Sequence, residues 1–221
     1  MPSVTRPSPA TVTTPRMAMT HTVAPGETLW RIGRIYDVPV ASITRANRLD
    51  DDVQLRMGQH LSIPDAKKPV QPITLFPSDK WQYIIIHHTA TEHGSSLDFN
   101  RAHLAKGWDR GIGYHFVINN GSGEKQDGFV EVTPRWLKQQ DGAHCKADDM
   151  NLKGIGISLV GNFDYERVSK AQMEALVDLV KRLKNYYKIP AKNILGHSHV
   201  HDSRTDCPGT QFPWKEFKKR L

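Results

Sequence analysis

The chain has 221 residues, of which 38% are hydrophobic, and a formal net charge of +7. That length allows one or two domains, and no stretch approaches the roughly 20 apolar residues of a membrane span. The positive balance favours anionic surroundings. It is scattered, however, with its densest cluster at Lys215, Lys218, Lys219 and Arg220, and no aromatic-interleaved basic stripe points to a nucleic-acid partner. Met1 to Thr20 is rich in Pro, Thr and Ser without an acidic residue. It has no apolar signal-peptide core, and it is expected to be a disordered tail because it cannot bury enough apolar surface to offset its ordering entropy.

Residues 21–65 read as a compact βααβ unit. His21-Thr22-Val23 is a short strand and Pro25-Gly26 a turn. Thr28 can cap a helix whose apolar face is Leu29, Ile32, Ile35 and Tyr36. Val38-Pro39 breaks it, and a second helix follows with Val40, Ile43 and Ala46 on one face, ending at Asn47. An acidic loop, the turn Met57-Gly58-Gln59 and the strand Leu61-Ser62-Ile63-Pro64 complete the unit. The run Thr22-Val23, Pro25-Gly26-Glu27-Thr28-Leu29-Trp30-Arg31-Ile32, then Ile43, Ala46-Asn47, Leu49 and Gly58-Gln59-His60-Leu61-Ser62-Ile63-Pro64 resembles the lysin motif, LysM. The resemblance implies binding to N-acetylglucosamine-containing glycans in a shallow groove lined by Gly26, Glu27, Thr28, Leu29 and the loop Leu49-Asp50-Asp51. Leu29, Ile32 and Ile43 read better as plain core, and Trp30 as core or as a sugar-facing platform.

Residues 66–80 contain Pro69, Pro72 and Pro77 and read as a semi-rigid linker. Beyond it, residues 81–221 alternate strands and helices, which implies an α/β domain with a central sheet. Tyr83 to Ile86 is a strand buried on both faces, ending in His87-His88. Ser95 to Ala105 is a helix with Ser95 and Asp98 at capping-box spacing and Leu97, Arg101 and Leu104 along one side. A glycine-rich turn leads to the strand Tyr114 to Asn119, Asn120-Gly121 signals a hairpin, and a short strand is expected over Phe129 to Val132. Gly154 to Phe163 is a third buried strand. Ser169, with Gln172 at capping-box spacing, starts a helix whose apolar face is Met173, Leu176, Val177, Val180, Leu183 and Tyr187, closed by Pro190. Asn193-Ile194-Leu195 then leads into Gly196-His197-Ser198-His199-Val200-His201-Asp202-Ser203-Arg204-Thr205-Asp206-Cys207.

Such a density of imidazole beside a thiol suits Zn²⁺, which catalytic sites hold with three protein ligands and an open position. If the strands ending at Ile86 and Leu195 are neighbours, one residue from His87-His88, one from the late loop and the Cys207 thiolate can meet. Tyr114 and His115 begin another strand that can face the same mouth. A zinc-bound water has its pKa lowered to about 7, which supplies a nucleophile at neutral pH. A thiol hydrolase built on Cys145 and His144 is disfavoured, because adjacent residues rarely present a nucleophile and a base to each other.

The motifs Ile85-Ile86-His87-His88-Thr89-Ala90-Thr91, Gly111-Ile112-Gly113-Tyr114-His115-Phe116-Val117-Ile118, Gly142-Ala143-His144 with Asn151, Gly154 to Phe163, and Gly196-His197 with Thr205-Asp206-Cys207-Pro208-Gly209 come in one order along residues 81–214. Together they resemble the zinc-dependent N-acetylmuramoyl-L-alanine amidases, the amidase_2 family, which includes phage amidases and peptidoglycan recognition proteins. The resemblance implies a central mixed sheet flanked by helices. It implies one Zn²⁺ held by His87, His197 and Cys207, with His199 as the reserve for the middle position. Tyr114 and Thr205 would stabilise the oxyanion, Thr205 standing where some members carry lysine. His144 and Asn151 would contact the muropeptide. The activity expected is hydrolysis of the amide between N-acetylmuramic acid and L-alanine by a monomer tethered to peptidoglycan through LysM. With no signal peptide in view, a phage endolysin made in the host cytoplasm and released to the wall is expected. A bacterial remodelling or exported effector amidase is the alternative, as is a non-catalytic peptidoglycan-binding protein on the same fold.

Overall fold

The computed structural model describes residues 15–50 and 53–221. The expected disorder of residues 1–14, and the expected groove residue Asp51, lie outside the described residues. Two sheets organise the chain. The first pairs β1 (Met17–Thr22) antiparallel with β2 (His60–Ala66). β1 therefore takes in residues assigned to the tail. The pairing satisfies its backbone groups, and Arg16 anchors its start by donating to the carbonyls of Asp37 and Asp65 at 3.0 and 2.8 Å.

Between these strands lie α1 (Leu29–Tyr36) and α2 (Val40–Asn47). Thr28 caps α1 by accepting from the Arg31 amide at 3.3 Å. Leu29, Ile32, Ile35 and Tyr36 face a core shared with Val23, Leu61 and Ile63. On α2 the inward residues are Ile43 and Thr44, and Ala46 is exposed. A two-turn helix presents only a narrow stripe, and here Asn47 fixes its rotation. The Asn47 amide donates to the carbonyls of Ile43 and Ser62, and its oxygen accepts from the Ser62 amide, each at 2.8 Å.

The second sheet has the order β5-β4-β6-β3-β7. It comprises β3 (Tyr83–His88), β4 (Phe116–Ile118), β5 (Val130–Val132), β6 (Gly154–Leu159) and β7 (Ile194–Gly196). β3, β4, β6 and β7 run parallel, and β5 pairs antiparallel with β4. The expected hairpin after Asn120-Gly121 thus exists but closes across residues 119–129. Central β3 and β6 are buried on both faces, as their continuous apolar runs require.

Three helices and two short turns of helix flank this sheet: α3 (Ser96–Ala105), α4 (Pro134–Leu137), α5 (Met150–Lys153), α6 (Lys170–Tyr187) and α7 (Trp214–Lys219). Capping boxes start α3 at Ser95 and α6 at Ser169. α6 lays Met173, Leu176, Val180 and Leu183 on Ile84, Ile86, Phe116 and Ile157. α3 buries Ser96, Leu97 and Asn100 and leaves Leu104 exposed, because its polar inner residues bond to Glu131 and Ile112 rather than to an apolar wall. α7 was not anticipated; Phe217 buried among Phe212 and Trp214 holds it. The end of the linker is part of this body. Ile73, Leu75 and Phe76 pack on the main core, the Trp136 indole donates to the Thr74 carbonyl at 2.9 Å, and the Tyr187 hydroxyl donates to the Phe76 carbonyl at 2.8 Å.

Candidate metal centre

The carboxyl ends of parallel strands are where open α/β sheets place ligands, and here β3, β6 and β7 end together. Side chains alternate along β3. Ile85 shares a cluster with Cys145, Met150 and Val200, while Ile84 and Ile86 face α6. His87 consequently points to the Ile85 side and His88 away from it. The His88 ring packs near Phe163, whose amide donates to His88 Nδ1 at 3.2 Å.

β7 pairs Gly196 with Ile86, so the next residue, His197, stands beside His87 with ring centroids 4.8 Å apart. The late loop then turns back. The Ser198 amide donates to the Cys207 carbonyl at 2.7 Å, which brings Cys207 Sγ to 3.5 Å from His87 Nδ1. One ligand atom each from His87, His197 and Cys207 lie within 4.8 Å of one another, the one such His/Cys/carboxylate group among the described residues. His199 is outside it. Its Nδ1 accepts from the Gly196 amide at 3.3 Å, and its ring leans on Trp214.

The donor chemistry fits a borderline-soft divalent metal. Burial, helped by neighbouring histidines, holds His87 well below its ordinary range, and burial lowers His197. Both imidazoles are therefore held in the neutral form that can bind a metal. Burial also pushes the Cys207 thiol up to about 12. A thiol in that position becomes a thiolate when a cation sits beside it, and the backbone amide of His88 already donates toward its sulfur at 3.4 Å.

The Tyr114 ring lies 5.3 Å from that of His87. Burial first, and Cys207 second, push its phenol up to about 12, partly offset by Ser158. Tyr114 is thus a neutral hydrogen-bond donor at the site. Ser158 Oγ, beside it, is the buried side-chain oxygen without a partner in hydrogen-bond geometry among the described residues. Thr205 is exposed; its Oγ1 accepts from the Cys207 amide at 3.2 Å and still carries a proton to donate.

The two residues expected at the muropeptide are engaged internally. His144 is 8% exposed, with Nδ1 3.0 Å from His87 Nε2 and Nε2 3.2 Å from the Gly154 carbonyl. Asn151 Oδ1 accepts from the amides of His144 and Cys145 at 2.7 and 2.8 Å. Cys145 is a buried, unbridged thiol pushed up to about 11 by burial, which suits packing rather than nucleophilic attack. His103 stacks on Trp108 near Tyr114 and accepts from the Gly113 amide at 3.1 Å.

In the first domain a groove of about 470 Å³ is lined by Gly26, Glu27, Thr28 and Leu29 on one side and by Val53, Gln54, Leu55 and Met57 on the other. Leu49 instead packs on the core, and Asp50 is exposed outside the groove. Glu27 faces inward, accepting from His21 Nε2 and the Ala24 amide, both at 2.7 Å. Trp30 is 65% exposed on the far side of α1.

With this geometry in place, similarity to known proteins is specific. The family described as N-acetylmuramoyl-L-alanine amidase matches residues 77–210, and the LysM domain matches residues 21–64. The chain is 33% identical over 140 residues to the N-acetylmuramoyl-L-alanine amidase of Sus scrofa, covering 58% of this chain and 21% of that protein. It is 33% identical over 146 residues to peptidoglycan-recognition protein SC2 of Drosophila melanogaster, covering 62% of this chain and 72% of that one. The endolysine N-acetylmuramoyl-L-alanine amidase LysCS from Clostridium intestinale superposes with a TM-score of 0.54 at 31% identity, over 69% of this chain and 92% of its own.

Proposed function

The chain belongs to the N-acetylmuramoyl-L-alanine amidase family and carries a LysM domain ahead of the catalytic unit, and on that premise we propose that it is a zinc-dependent peptidoglycan amidase. It cleaves the bond between the lactyl carbonyl of N-acetylmuramic acid and the nitrogen of L-alanine. The observation that carries this reading is the convergence of His87, His197 and Cys207 beside the Tyr114 phenol. Zinc held by those three residues would supply a Lewis acid that polarises the carbonyl and lowers the pKa of water.

The chain's own groups supply the rest. Tyr114, neutral at working pH, donates a hydrogen bond where negative charge develops on the carbonyl oxygen. Thr205 offers a second, uncharged donor from the rim. Tyr114 packs against the apolar cluster of Ile112, Val117 and Val160, and a low local dielectric there strengthens its bond. Water adds across the amide, leaving a muramic carboxylate and a free L-alanine amine. The LysM groove binds the glycan strand and concentrates the catalytic unit on insoluble wall.

We infer a wall-lytic role of the endolysin kind, supported by the likeness to LysCS. No helix among the described residues is long and apolar enough to cross a membrane. The deciding experiment incubates purified peptidoglycan with wild type and with Cys207→Ser, before and after chelation. Free L-alanine amino groups are expected from wild type alone, lost with chelator and restored by Zn²⁺. Reducing sugar ends, or chelator-resistant release, would overturn the reading.

A further inference from the structure

His144 is the part of the centre that its neighbours constrain most. The Gly154 carbonyl can only accept, so the proton shared with His144 Nε2 at 3.2 Å belongs to His144. A neutral imidazole carries one ring proton, and the carbonyl places it on Nε2. Its Nδ1 is then an acceptor. The bond of 3.0 Å between that atom and His87 Nε2 requires the proton to sit on His87 Nε2. His87 Nδ1 is left as a bare lone pair, and it faces Cys207 Sγ at 3.5 Å.

The ring of His144 lies close against the backbone of two glycines. A Cβ on either Gly142 or Gly156 would collide with it, so the two glycines form a slot that admits the imidazole edge. Asn151 Oδ1 holds its backbone amide at 2.7 Å.

The structure assigns His144 as the positioning residue that relays the Gly154 carbonyl to His87, holding His87 in its Nε2-protonated tautomer with Nδ1 directed at the metal position. This assignment rests on the zinc reading above for its purpose, but the tautomer itself is a property of the metal-free chain. It replaces the expected muropeptide contact of this residue with a role in assembling the centre. Partners of this kind orient metal-binding histidines, and their loss costs about 10- to 100-fold in metal affinity.

The test uses the full chain, metal-free and then titrated with zinc. Long-range ¹H–¹⁵N correlation spectra report which ring nitrogen of His87 is protonated, and chelator competition reports zinc affinity. His144→Leu removes the acceptor, whereas His144→Asn places an amide oxygen where Nδ1 was. Wild type and His144→Asn are expected to show the Nε2-protonated tautomer and zinc affinities within a few-fold of each other. His144→Leu is expected to lose the single tautomer and to weaken zinc binding about 10- to 100-fold. An unchanged tautomer or unchanged affinity in His144→Leu would overturn the assignment. Should that variant not fold, a wild-type His87 protonated on Nδ1 overturns it equally. A wild type that holds the tautomer yet takes up no zinc supports the assignment and sinks the metal reading instead.

Discussion

Tyr114 and His87 illustrate how single positions acquire chemistry from their surroundings. Neither side chain is unusual in solution. Burial pushes the phenol up to about 12 and drives the imidazole to its neutral form, so one is held as a proton-bearing donor and the other as an imidazole able to bind a metal. Tyr114→Phe is expected to lower kcat about 10²-fold or more, the magnitude seen when one oxyanion donor is removed, with zinc content unchanged. Turnover on a defined muropeptide alongside metal analysis checks this; loss of zinc in the variant would mean that Tyr114 acts through the metal ligands. His88 is the counterexample. It adjoins His87 in the chain, yet the pleat of β3 turns its ring toward Phe163, and only its backbone amide reaches Cys207.

Among the elements, the start of α1 shows local signals and long-range ties acting together. Thr28 caps the helix as its sequence position suggests, and Glu27, one residue earlier, ties the turn back to β1. Burial is the largest influence on the Glu27 carboxyl and raises it. Its bond to His21, the His21 and Lys125 charges and the Ala24 amide together outweigh burial, so the group titrates below its ordinary value of 4.5. A carboxyl depressed in the folded state contributes stability that is complete above its unfolded value and is lost as pH falls through the folded one. Thermal unfolding of Glu27→Gln is therefore expected to show a lower Tm than wild type at neutral pH, with the gap closing as pH falls below 4.5. A gap independent of pH would show that the carboxylate charge contributes nothing. In the catalytic unit the decisive element contact is β3 against β7, because the register Ile86 to Gly196 sets His87 and His197 side by side.

At the scale of the molecule, the LysM domain does not hang free. Phe129, from the loop leading into β5, is buried in the LysM core cluster. Lys125 Nζ lies 3.3 Å from His21 Nδ1 and donates to the Thr22 carbonyl at 3.4 Å. Removing residues 1–66 is expected to leave turnover of soluble muropeptide intact while weakening sedimentation with insoluble sacculi and slowing their clearing about 10²-fold at low enzyme concentration. The truncated chain should also unfold at a lower temperature, since re-exposing a side chain such as Phe129 costs roughly 1.5–3 kcal/mol. Equal clearing of sacculi by both forms would remove the anchoring role from the LysM groove.

Much of this was legible along the chain. The buried strands, the capping boxes at Ser95 and Ser169 and the ordered motifs of both families are local patterns, since periodicity and caps act over a few residues. So was the set of residue types able to hold zinc. Which imidazoles meet was legible only through the family resemblance, which named His87 and His197; the spacing of the residues left both pairs open. His87 against His88 is decided by strand pleat, and His197 against His199 by the β3–β7 register and by Trp214 of α7, all contacts between segments distant in sequence. His144 was legible as a motif residue but not as the partner of His87. That role depends on a slot between Gly142 and Gly156 and on a carbonyl at Gly154. Composition and spacing specify what groups a chain carries; only packing brings a carbonyl, two imidazoles and a thiol into one line and so determines where each proton must sit.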